Sequence, residues 1–250
     1  DLTALVEFRY YDGWHLRPTA GPRISDELAY IRPPTLERVR ERNIHNLSDS
    51  TALRTRFDYA FPTGTVLYAN GMVAWEDPVD TTRERVWHAY GGVVQRVDAW
   101  GLLVDVAGGY RREQERNLAG DLHTLQSMWH VDVDASVSIY GPHSASLAFH
   151  FERYTAGADV IGPIDHHVGE LVVSYGFAPW VDAALVWGMT TETPDLKTHY
   201  IGGDVRVRFT SDMYVRVFGG TKKGGILCVN GVCRNDPAFE GVRAEVVLRF

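Results

Sequence analysis

Apolar residues occupy every second position along most of this chain. The stretch GVRAEVVLRF, residues 241–250, shows the pattern. Val242, Ala244, Val246, Leu248 and Phe250 alternate with positions that include Arg243, Glu245 and Arg249. Period two marks a β-strand with one apolar and one polar face. Along the chain it predicts twelve strands, over about 2–11, 52–61, 65–76, 84–97, 99–111, 123–140, 143–154, 166–177, 180–191, 198–210, 213–221 and 238–250. A short helix is predicted only near 34–45, where Pro33 and Pro34 precede a weak stripe of Leu36, Val39 and Ile44.

The connections alternate in length. Short ones are FPTGT at 61–65, VDAW at 97–100, YGPHS at 140–144, FAPW at 177–180 and TSDM at 210–213. Longer ones run through 12–51, 77–83, 112–122, 155–165, 192–197 and 222–237. The predicted fold class is therefore all-β: one domain over 1–250, an antiparallel up-and-down transmembrane β-barrel of about twelve strands. Extra strands within 12–51 would make fourteen. With an even number both termini lie on the short-turn side, and the last strand can pair with the first.

Aromatic placement decides which face points outward. Tyr10, Trp75, Trp87, Tyr110, Trp129 and Trp187 sit on the apolar face near the long-loop ends. Phe61, Trp100, Phe177, Phe209 and Phe250 sit near the short-turn ends. A soluble barrel such as a lipocalin turns its apolar face inward, and has no reason to sort large aromatics into two rings. The ten residues from Trp100 to Tyr110, at about 3.3 Å each and a tilt of about 40°, span roughly 25 Å, the height of a lipid-facing band.

On these residues the chain resembles the bacterial outer-membrane β-barrel proteins, porin-like in outline, over its whole length. The last strand carries the most specific likeness. In that class a terminal aromatic such as Phe250 is part of the signal read by the barrel-assembly machinery. The resemblance implies the outer membrane of a Gram-negative bacterium, with lipid bilayer and lipopolysaccharide around the barrel. It places the short turns in the periplasm and the long loops outside. It does not supply a function, since barrels of this size serve as channels, enzymes and structural parts. The first residue is Asp1 rather than Met, so a signal segment is expected to have been removed or to lie ahead of it.

Composition narrows the partners. Acidic residues number 32 against 25 basic ones, a net charge of −7, which argues against a general nucleic-acid binder. No run of about 18 apolar residues marks a membrane helix. Nearly all the basic residues are Arg; the lysines are Lys197, Lys222 and Lys223.

The lumen-facing residues divide by sign. Predicted strands ten, eleven, twelve, one and two carry Arg206, Arg208, Arg216, Arg243, Arg249, Arg9, Arg54 and Arg56, with Asp204, Glu245, Glu7 and Asp58 among them. Predicted strands five to nine carry Asp105, Asp132, Asp134, Glu152, Glu170 and Asp182, with His130 and His150. Facing walls of opposite sign set a transverse field that selects polar solutes. The expected function is a narrow channel for small polar or anionic solutes. If instead the same residues pair across a filled lumen, the chain is a non-conducting structural or assembly component that contacts other envelope proteins. Barrels of about 8 strands are filled by side chains and those of about 16 leave a channel, so a twelve-stranded one stands between. Loop 12–51, with Arg38, Arg40 and Arg42, either folds inward as a constriction or stays outside.

No G-x-S-x-G elbow, Walker loop or H-E-x-x-H motif occurs. The outward face offers no Ser/His pairing, so no enzyme and no cofactor is expected. His130, Asp132 and Asp134 share a face beside His150 and Glu152. Such a set could hold a divalent metal, but it reads first as a polar lumen wall, and no metal is expected. DHH at 165–167 is a weaker signal still. Cys228 and Cys233 flank Asn230-Gly231, a tight-turn signal. A hairpin-tip disulfide is expected there, as suits an oxidising compartment.

Overall fold

The computed structural model describes residues 1–11, 50–76, 84–116, 122–156, 165–192, 198–210, 212–223, 225–229, 232–236 and 238–248. The strands are β1 (Leu2–Tyr11), β2 (Ser50–Ala60), β3 (Thr65–Glu76), β4 (Glu84–Val97), β5 (Leu102–Arg116), β6 (Leu122–Tyr140) and β7 (His143–Ala156). They continue with β8 (His166–Phe177), β9 (Val181–Thr190), β10 (His199–Arg208), β11 (Tyr214–Lys222), β12 (Gly225–Val229), β13 (Val232–Asp236) and β14 (Phe239–Val247). Twelve of them form one sheet in the order β1 to β11 and then β14, each antiparallel to its neighbours. This is the all-β, up-and-down topology of a β-barrel.

β1, β3, β4 and β8 occupy their predicted ranges. β5 departs furthest. Asp98–Trp100 form a 3-10 turn closed by Gly101 at φ 54°, so Trp100 sits in a turn, 69% exposed, rather than on a strand. At its other end β5 runs on to Arg116 through a polar segment whose ladder partners on β4 and β6 hold it extended. β12 and β13 form a separate hairpin within the predicted loop 222–237. The predicted helix at 34–45 lies outside the described residues, and so does nearly all of loop 12–51.

The expected ladder between first and last strands is not among the pairings of the described residues: β1 bonds to β2, and β14 to β11. Among the described residues β1 and β14 therefore each pair on one side only. Leu2, Val6 and Phe8 on β1 and Val242 and Val246 on β14 are exposed.

A flat single-layer sheet buries nothing. Here Arg54, Asn70, His88, Arg111, His130 and Glu152 are buried, and the register puts all of them on one face with buried Met72, Val86 and Tyr154. The sheet is therefore strongly curled, with its polar face inside. The opposite face holds most of the exposed large apolar residues, including Phe57, Leu67, Val106, Leu185, Ile201 and Val217. Leu5 and Leu103 are exceptions, inward yet exposed.

Glycine permits the curl at two places. Gly202, Gly220 and Gly241 stand opposite one another on β10, β11 and β14. Gly220 and Gly241 have φ of 125° and 139°, values that L side chains avoid. The second place joins β4 to β5, where Gly91 faces Gly108 and Gly109 faces Tyr90. Glycines at such positions let a sheet bend and let neighbouring side chains close over the backbone.

Aromatic side chains band the outer face. Trp87 meets Tyr110 at 5.1 Å between ring centroids, Trp129 meets Phe151 at 5.3 Å, and Phe151 stacks on His167 at 5.8 Å. Tyr110 and Trp129 are ladder partners, so the band crosses β4 to β8. Trp187 stacks on His199, and Trp75 is half-buried at the same level of the sheet. At the short-turn ends Trp100, Trp180 and Phe209 are exposed, and Tyr59 meets Phe61 edge-on. The side chain of Tyr10 and all of Phe250 lie outside the described residues.

Candidate functional site: the inward polar face

The period-two pattern that exposes the apolar side chains aims the even positions of β2, β3, β4, β6 and β7 and the odd positions of β5 into the concave side. Three groups of polar residues result.

The first is a chain of hydrogen bonds over β4, β6 and β7. His88 and His130 approach Nε2 to Nε2 at 3.0 Å. His130 Nδ1 lies 2.8 Å from Asp132 Oδ2, and His150 Nδ1 lies 2.5 Å from Asp132 Oδ1. His150 Nε2 makes an ion pair with Glu152 Oε1 at 2.8 Å, and the Tyr154 hydroxyl donates to Glu152 Oε2 at 3.0 Å. A carboxylate only accepts, so Asp132 requires N–H at Nδ1 of both histidines. The second nitrogen of a neutral His130 is then an acceptor for the His88 N–H. These six residues, from His88 to Tyr154, form one connected polar wall, in which Glu152 Oε1 has the His150 ion-pair contact but no hydrogen bond. Among the described residues no three His, Cys, Asp or Glu converge as a metal-holding set.

The second group surrounds a cavity of about 300 Å³ on β2 to β5, lined by Arg56, Asp58, Val66, Tyr68, Asn70, Tyr90, Val94 and Asp105. Arg56 grips Asp58 with bonds of 2.7 and 2.8 Å, and the Tyr68 hydroxyl donates to Asp105 Oδ1 at 2.8 Å. Tyr68 reaches across β4 to β5 because Gly92 lies between; a Cβ there would stand 2.6 Å from the Tyr68 hydroxyl. Buried Arg54 donates from Nη2 to Asn70 Oδ1 at 3.0 Å.

The third group is the arginine side. Arg208 pairs with Asp182 and Arg216 with Asp204, both at 2.7 Å. Arg206 lies over the Tyr214 ring at 5.1 Å, and the Tyr214 hydroxyl donates to Glu245 at 3.0 Å. Arg243 is exposed. The inward positions next to these arginines are Asp182, Asp204, Tyr214, Phe218 and Glu245; the small residues Gly176, Ala184, Gly188, Gly202 and Gly220 lie further along the same face, and the Phe218 ring closes over Gly202.

Asp105, Asp132, Asp134, Glu152, Glu170 and Asp182 lie on this one face of the sheet. Two of them, Asp132 and Glu152, are engaged by histidines. Asp134 is exposed and stands opposite Asp105, and Glu170 stands opposite His150. The side chain of Arg9 and all of Arg249 lie outside the described residues. Cys228 and Cys233 are direct partners in the β12–β13 ladder, but their side chains also lie outside. Sequence reasoning misses His88, Tyr68 and Tyr90 as members of these groups. Period two places them inward, yet only the curl across Gly92 and Gly109 brings them to Asp105 and His130. No family model, no curated protein and no solved structure matches this chain.

Proposed function

We propose that the chain is an outer-membrane β-barrel of a Gram-negative bacterium that provides a narrow passage for small polar or anionic solutes. The observation that carries this reading is the inverted polarity: exposed apolar residues and aromatic bands outside, buried and paired polar residues inside. Lipid favours that arrangement, and water disfavours it. On this reading the bilayer and lipopolysaccharide cover the outer face. The barrel-assembly machinery takes up the last strand and joins β14 to β1. Arg206, Arg208 and Arg216 on the inward face favour anions. The passage is passive, without catalytic residues or cofactor.

A second reading has its own support. The buried chain from His88 to Tyr154 fills one side of the interior, as expected of a closed structural barrel that docks other envelope proteins. Purified protein in planar bilayers separates the two. The passage predicts discrete conductance steps. Silent bilayers, with insertion verified independently, favour the structural barrel.

A further inference from the structure

We propose that the cavity on β2 to β5 is a binding site for a small neutral polyhydroxy compound of monosaccharide size. This deepens the passage reading, since it names a solute class for the same interior. Asn70 carries the inference. It lines the cavity, is only 6% exposed, and its Nδ2 has no hydrogen-bond partner among the described residues. The amide orientation is fixed, because Arg54 needs an acceptor and so turns Oδ1 toward itself. A buried donor without a partner is costly, and a ligand oxygen in the cavity would relieve it.

The other polar groups define the ligand. Asp105 keeps Oδ2 as an acceptor while Oδ1 takes the Tyr68 hydroxyl. Arg56 keeps its Nη1 donors while Nε and Nη2 hold Asp58. Two carboxylates against one guanidinium disfavour an anion. The guanidinium and the amide donor disfavour a metal cation. Hydroxyl groups both donate and accept, so a polyol satisfies carboxylate, guanidinium and amide together. The cavity of about 300 Å³ is at the small end of ligand sites.

The test is calorimetric titration of the purified, detergent-folded protein with D-glucose, with inorganic phosphate as the contrasting probe. Saturable glucose binding is expected, at least tenfold weaker in Asn70→Asp, which keeps an acceptor for Arg54, removes the free donor and adds a carboxylate charge beside Arg54. Asp105→Asn keeps an acceptor for Tyr68 and should also bind at least tenfold more weakly. Both variants should retain the wild-type circular dichroism. No saturable glucose binding, equal affinity in wild type and Asn70→Asp, or preference for phosphate overturns the site. Liposome swelling in glucose scores the passage separately. Protein that binds glucose but does not pass it upholds the site and refutes the passage. Protein that passes glucose without saturable binding does the reverse.

Discussion

His88 on β4 and His130 on β6 meet at 3.0 Å although a whole strand lies between them. On the intervening strand Gly109 pairs with Tyr90 and His130, and the His130 ring closes over its backbone. A Cβ on Gly109 would stand 2.6 Å from His130 Nε2 and would also run into Tyr90 Cβ. One missing side chain therefore lets strands two apart communicate directly.

Replacing Gly109 with Val should displace His130 and Tyr90 and open the His88 contact. Overpacking of this kind costs about 1–3 kcal/mol. Urea unfolding in detergent should show a lower midpoint; an unchanged midpoint would mean that the rings do not lock over this backbone.

His88→Leu should destabilise more than His88→Gln. Leucine leaves His130 Nε2 buried without a donor, a loss of about 1–3 kcal/mol, whereas the glutamine amide can still donate. Thermal unfolding of the two variants side by side reads the difference. Equal losses would show that side-chain volume, not the hydrogen bond, matters at this position.

Charge reversal of Arg206, Arg208 and Arg243 to Glu should move reversal potentials in asymmetric KCl toward cation preference. The wild-type anion preference should fade at high salt, where the screening length drops from about 10 Å at 0.1 M to about 3 Å at 1 M. Conductance with unaltered selectivity would place the current path away from the arginine side. Arg208 also holds Asp182 at 2.7 Å, so Arg206→Glu alone serves as the variant that leaves that ion pair in place.

Cys228 and Cys233 occupy directly opposed positions of a two-stranded ladder. They should form a disulfide in protein isolated without reductant. Intact-mass measurement before and after reduction, with alkylation, checks this; two alkylated cysteines in unreduced protein would refute it.

The strands were legible because each needs only local information: alternation names the faces, and turn residues such as Gly64 and Gly141, both at positive φ, end the hairpins. Arg112 to Arg116 were not legible, because a strand without apolar neighbours carries no alternation, and only the β4 and β6 ladders hold it. The five-residue arms of β12 and β13 were too short to register against the strong Asn-Gly turn signal. The site was half legible. Asp132, His130, His150 and Glu152 lie on adjacent strands, where period two suffices. His88 and Tyr68 reach their partners across a third strand, a relationship set by curvature, which no local pattern encodes.

The two glycine bends have a geometric consequence. One lies between β4 and β5, the other across β10, β11 and β14, so they sit about half the sheet's twelve strands apart. Once β14 joins β1, as the proposed barrel requires, a ring creased at two opposite points has an oval cross-section rather than a round one. The creases fall near the seams between the acidic strands β5 to β9 and the basic strands β10 to β2. Flattening would then press the two broad walls toward each other along the short axis, bringing carboxylates and guanidinium groups closer than a circular tube of the same strand number would. The short axis, rather than the number of strands, would set the largest solute that passes.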